Sequence, residues 1–114
     1  MKKIILCEGK MDAFLLGYFL DKRFGWKYIK EHIDRLPKLA VSKDNEVFYW
    51  YQHSEKPNQE LAIWGVGGID RISFGLCNVM VRNQREGTST ERFRQIVIFF
   101  DRDTRTKGEC LELV

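Results

Sequence analysis

The chain is poor in long apolar runs. In its basic opening, MKKIILCEGK, the apolar stretch Ile4 to Cys7 is four residues long before charges return. A membrane span needs about 20 apolar residues and a signal peptide core about 7–15, so neither is expected and the expected location is cytoplasmic. Cysteine is scarce too: Cys7, Cys77 and Cys110 are widely spaced, odd in number and without a C-x-x-C pair. That excludes a disulfide framework and a structural zinc site and predicts reduced thiols. The two histidines, His32 and His53, have no partner at ligand spacing, and no Ser/His/Asp arrangement is legible. A large charge of one sign is also missing: 19 basic residues stand against 16 acidic ones, for a net +3. Composition therefore neither demands nor excludes a polyanionic partner. There are no repeats, low-complexity tracts or linkers. With 114 residues, 44% of them apolar, one domain over 1–114 is expected.

What is present is an alternation of apolar runs and helical spacings. IILC (4–7) has the unbroken apolar character of a strand covered on both faces, and EGK follows as a turn. From Met11 to Phe24, Met11, Leu15 and Tyr18/Phe19 recur at helical spacing, with Asp12 in the first turn and Gly25 as a stop. Trp26, Ile29, Ile33 and Leu36 repeat that spacing and predict a second, shorter helix ending near Pro37. Residues 42–66 read as a β-hairpin, from the β-favouring EVFYWYQH through the turn SEKPN to ELAIWGV. GVGGID (65–70) leads into a helix marked by Ile72, Leu76, Val79 and Met80; REGTSTER is a polar loop; RQIVIFFDRD is the clearest strand. The pattern predicts an α/β fold, a mostly parallel sheet flanked by helices and carrying the hairpin as an insertion.

In such folds ligands lie beyond the carboxyl ends of the strands. Asp101 and Asp103, one residue apart after VIFF, share a face if the strand persists, while Arg102 points away. Glu8 follows the first strand, and Asp12 stands four residues further on, across the turn into the first helix. If strands 4–7 and 96–100 are neighbours, four carboxylates converge on one rim. Like charges so close raise one another's pKa, and a divalent cation relieves the conflict. Oxygen-only ligands favour Mg²⁺ or Mn²⁺, which pair a few carboxylates with substrate phosphate. Each motif alone has a plainer reading: aspartates end strands as turn formers, and Glu8 suits a helix N-terminus. Lys10, Arg71, Arg102 and Arg105 flank the rim, either as phosphate contacts or as solvated charges. VFYWY (47–51) is either a base-stacking platform or a packed strand. GVGG lacks the P-loop and the full G-x-G-x-x-G patterns, so a tight turn is sufficient for it.

In their order along the chain, IILCEGKMDAFLL, GVGGID and IVIFFDRDT resemble the Toprim domain of topoisomerases, bacterial primases, small RNA-maturation nucleases and the overcoming-lysogenization-defect nucleases. The likeness runs from Ile4 to about Thr104. It implies that Glu8 serves in acid/base or metal chemistry and that Asp101 and Asp103 bind Mg²⁺. The E-G-x-x-D form, adding Asp12, is closer to the nuclease branch, where this pair contributes to a second metal. The implied reaction is Mg²⁺-dependent phosphodiester hydrolysis of DNA or RNA. The alternatives are a non-catalytic nucleic-acid-binding or assembly module, and primase-like nucleotidyl transfer within a larger protein. Tyr18, Tyr28, Tyr49 and Tyr51 lie in expected helices or the hairpin, so none is assigned as a topoisomerase nucleophile. Toprim domains continue after D-x-D with a helix and a strand, whereas eleven residues follow Asp103 here. The resemblance thus implies a domain incomplete at its C-terminus, a short natural form, or a sheet completed by a second copy or another domain or subunit.

Overall fold

The computed structural model describes residues 1–29, 46–86 and 92–99. They form an α/β fold in which helices flank a five-stranded mixed sheet. In chain order come β1 (Lys2–Cys7), α1 (Lys10–Phe24), β2 (Trp26–Tyr28), β3 (Val47–His53), β4 (Glu60–Gly65), a 3-10 turn (Ile69–Arg71), α2 (Ile72–Glu86) and β5 (Phe93–Ile98). The strands lie in the order β2-β3-β4-β1-β5.

The expectation of a mostly parallel sheet is corrected. Strand β1 is parallel to both β4 and β5, but β3 is antiparallel to β2 and β4. The hairpin is real, yet it is part of the main sheet, because β4 pairs with β1 along its whole length, Lys2↔Glu60 to Cys7↔Gly65. Alternation along the strands divides the core in two. Ile4, Leu6, Trp50, Ala62, Trp64 and Phe93 face α2, which answers with Ile72 and Val79. Cys7, Tyr51, Leu61 and Ile63 face Ala13, Leu16 and Leu20 of α1. Each large side chain buried this way contributes about 1.5–3 kcal/mol. The helices lie on opposite faces because the two crossovers travel in opposite directions: β1 past β4 to β2 through α1, then β4 back past β1 to β5 through α2. A common right-handed crossover then requires opposite faces.

Helix α1 occupies the expected span and ends at Gly25 in the left-handed conformation (φ 76°), whose N–H reaches the Leu20 carbonyl. Its buried face, however, is Ala13 and Gly17, while Met11, Leu15, Tyr18 and Phe19 point outward. The small residues let the helix approach so closely that the Tyr51 ring occupies the space a Gly17 side chain would need; a Cβ there would lie 2.8 Å from Tyr51 Cζ. Gly17→Ala is accordingly expected to destabilise the chain by about 1–3 kcal/mol, overpacking outweighing the gain of about 1 kcal/mol in helix propensity. Urea unfolding followed by tryptophan fluorescence measures it.

The second helix expected from Trp26 is corrected where it is described. Trp26–Tyr28 is a strand pairing Trp26↔His53 and Tyr28↔Tyr51. Once Gly25 has reversed the chain, the edge of β3 offers Trp26 and Tyr28 aromatic cross-strand partners, with Trp26 edge-on to His53 at 5.2 Å. The remainder of that expected helix, 30–36, lies outside the described residues. Asn83 fastens α2 to β5 by accepting from the Phe93 N–H at 2.7 Å and donating to its carbonyl at 2.8 Å. No helix among the described residues is long and apolar enough to cross a membrane.

Candidate functional site: the rim at the carboxyl ends of β1 and β4

Strands β1 and β4 are adjacent, and the chain leaves them toward opposite faces, into α1 and α2 respectively. This is the topological switch point at which open α/β sheets place their ligands. Two turns meet there, Glu8-Gly9 after β1 and Val66-Gly67-Gly68 after β4. The β1 hydrogen-bond ladder runs on into the second turn. The Cys7 carbonyl accepts from Val66 N–H at 2.9 Å, and the Glu8 carbonyl accepts from both Gly67 (2.8 Å) and Gly68 (2.7 Å). Gly67 (φ 99°) and Gly68 (φ 149°) adopt backbone conformations that side chains resist. Glycine here makes the turn, and the N–H groups that a phosphate cradle would use are spent on Glu8.

Helix α1 starts immediately, with Gly9 as its extended N-cap and its carbonyl accepting from Ala13 N–H at 3.1 Å. Asp12 therefore falls in the first turn, where negative charge is favoured, and Glu8 stands just outside it. Both are half-buried. Their shared neighbour is the buried Cys7 thiol, which lies 3.7 Å from the Trp64 carbonyl. Burial first, then the charge of Asp12 and that of Glu8, pushes this thiol up to about 12. The thiol is thus protonated at neutral pH. Lys10, at the first helical position, is exposed.

Strand β5 reaches the same rim. Leu6 pairs with Ile98, and Phe99 N–H donates to the Leu6 carbonyl at 2.8 Å, so the neighbouring of these strands on which the acidic rim depends is present. Asp101, Asp103, Arg102 and Arg105 lie outside the described residues. Among the described residues no group of three or more His, Cys, Asp or Glu forms a metal cluster.

Arg71 is turned inward. Its Nε donates to the Val66 carbonyl at 2.7 Å, and its guanidinium meets Glu46 Oε1 at 3.2 Å. Glu46, the first residue of the β-favouring stretch EVFYWYQH, is a buried acid. Its other oxygen accepts from Trp64 Nε1 at 2.8 Å. The pair braces the Val66–Gly68 turn from behind. No short motif announces it, since Glu46, Trp64 and Arg71 are brought together only by the pairing of β3 with β4.

The residues of VFYWY divide between the faces. Phe48 and Trp50 pack with Trp64 and Phe93, while Tyr49 and Tyr51 face α1. No protein-family model, no curated protein and no solved structure matches the chain.

Proposed function

We propose that the chain is a Toprim-type nuclease or nuclease domain that hydrolyses phosphodiester bonds in DNA or RNA with Mg²⁺ or Mn²⁺ at an acidic rim. The observation that carries this reading is the alignment of β5 with β1. Strand β5 ends at Ile98, and the next residue, Phe99, donates to the Leu6 carbonyl, two residues from Glu8 and two before Asp101 in the sequence. The donor chemistry of the described part fits a hard cation. Glu8 and Asp12 offer carboxylate oxygens, and the one thiol beside them is protonated and buried. In this reading Asp101, Asp103, Asp12 and Glu8 hold the metal, and Glu8 serves as ligand or as proton carrier. A bound ion would polarise the scissile phosphate and stabilise the leaving oxygen. Lys10 and, by its place in the sequence, Arg102 or Arg105 would meet the flanking phosphates. Arg71 is not needed for that task, being engaged with Glu46.

The test is calorimetric titration of Mn²⁺ into the wild-type chain, Glu8→Gln and Asp101→Asn, with circular dichroism to check folding. Affinity is expected to fall at least about tenfold in both folded variants. Labelled DNA and RNA should then be cut in Mg²⁺ and spared in EDTA. A well-folded wild type that takes up no Mn²⁺, or variants that bind as well as it does, would overturn the proposal.

A further inference from the structure

The acidic rim leaves unused a second concave surface, on the α1 face of the sheet. A cleft of about 290 Å³ opens between α1 and the β2–β3 edge, lined by Phe14, Gly17, Tyr18, Asp21, Tyr28, Tyr49 and Tyr51. We propose that this cleft binds a methylated ammonium group, and that its aromatic walls make it selective for positive charge.

Five of the seven lining residues are aromatic, and their rings do not form one flat wall. Tyr28 stands at 89° to Tyr49 and at 56° to Tyr51, with ring centroids 5.9 and 5.8 Å apart. Phe14 and Tyr18 stand opposite, on α1. The close approach that Gly17 permits brings these two walls together. Aromatic faces carry the negative lobe of the ring quadrupole, so rings set at angles around one volume favour a cation there. The Tyr18 ring already has one beside it, the Lys22 ammonium 5.6 Å from its centroid.

The only charged group among the described lining residues is the Asp21 carboxylate. It is ion-paired with the Lys27 ammonium at 2.6 Å, which holds it below the usual carboxylate range and offsets its charge, so the ring faces are left to select the ligand. Burial first, then Tyr49, Tyr28 and Asp21, pushes the Tyr51 phenol up to about 12. That phenol therefore remains neutral at pH 7. No lysine or arginine lines the cleft, which disfavours phosphate; a surface for single-stranded nucleic acid pairs its aromatics with a basic groove. The volume is at the small end of ligand pockets, about 300–1,000 Å³, and suits a head group. A bare ammonium is strongly hydrated and asks for acceptors, whereas a methylated one gives up water readily and is well served by ring faces.

The same chemistry occurs in free choline and in the side chain of trimethyllysine. Both are titrated into the whole chain while the aromatic ring protons are followed by NMR, beside 3,3-dimethylbutan-1-ol, the neutral isostere of choline. Saturable shifts in Tyr28, Tyr49 and Tyr51 are expected with at least one cation, and the isostere should bind at least about tenfold more weakly. The tighter of the two cations identifies the source. Tyr28→Leu should lower cation affinity by about tenfold. Its cost in stability should be no more than about 1 kcal/mol, that of a cross-strand pair, because Tyr28 is 54% exposed, and circular dichroism should show the variant folded. Equal binding of the neutral isostere, absence of any saturable shift, or a dinucleotide that moves the same rings at lower concentration than either cation would each overturn the proposal.

Discussion

Gly65→Ala is expected to destabilise the chain by about 3 kcal/mol, the upper part of the range for overpacking, and to lower the unfolding midpoint by roughly 10–15 °C. Gly65 is the last residue of β4 and faces α1, as Leu61 and Ile63 do. A Cβ there would stand 2.7 Å from the Gly9 carbonyl oxygen and 2.9 Å from its carbon. Those are backbone atoms, and that carbonyl accepts the Ala13 hydrogen bond that opens α1. No rotamer change relieves the contact, so the β1–α1 turn must move away from β4. Gly75→Ala is the informative control, since its Cβ would meet the side chains Val66 Cγ1 at 2.9 Å and Trp64 Cζ3 at 3.3 Å. The valine can rotate, and the cost should be nearer 1 kcal/mol. Thermal and urea unfolding of both variants measure the difference. Equal losses would mean that the two turns are not clamped at Gly65. Because the displaced turn carries Glu8 and leads into the first turn of α1 with Asp12, Gly65→Ala should also weaken Mn²⁺ binding while folded, if the rim holds metal.

This clamp shows what kind of information the sequence carried. A strand at IILC, a turn at EGK and a helix as far as Gly25 were legible because each rests on local pattern, whereas the neighbouring of β1 and β5 stood only as a condition of the acidic rim, since apolar runs mark strands without setting their order. That Gly65 presses against Gly9 was not legible. The contact spans 56 positions and depends on register, which no local pattern sets. The buried face of α1 was hidden for a different reason. Apolar residues recur on both of its sides, and the large ones that dominate the periodicity, Met11, Leu15 and Tyr18, are those left outside. The two smallest, Ala13 and Gly17, decide the packing because Tyr49 and Tyr51 rise from the sheet to meet them. Strand β2 is three residues long, too short for alternation to be told from a helical turn. The correction to a mixed sheet follows from it and from β3, whose antiparallel pairing was expected for a hairpin but not for the body of the fold.

Arg71 allows the roles of brace and phosphate contact to be separated by experiment. Arg71→Leu is expected to cost about 3 kcal/mol, the lower end of the range for breaking a buried ion pair, because the Arg71 side chain keeps 20% of its exposure while that of Glu46 keeps none. The loss comes from what stays behind: a carboxylate without its guanidinium in the core beside Trp64, and a Val66 carbonyl without its Nε–H donor. Glu46→Gln combined with Arg71→Leu should be milder than Arg71→Leu alone, since the amide oxygen still accepts from Trp64 Nε1 and no buried carboxylate faces the leucine. A double-mutant cycle should therefore show coupling above about 1 kcal/mol. Arg71→Lys should recover only part of the loss, because an ammonium cannot give the forked donation of Nε to Val66 and a terminal nitrogen to Glu46. A solvated arginine that served only to meet phosphate would behave differently. Its replacement would change stability by no more than about 0.5 kcal/mol and would lower nucleic-acid affinity instead. Urea unfolding of the three single variants and the double variant distinguishes the two cases. A large, coupled loss in stability would establish Glu46–Arg71 as the support that holds the Val66–Gly68 turn against Glu8.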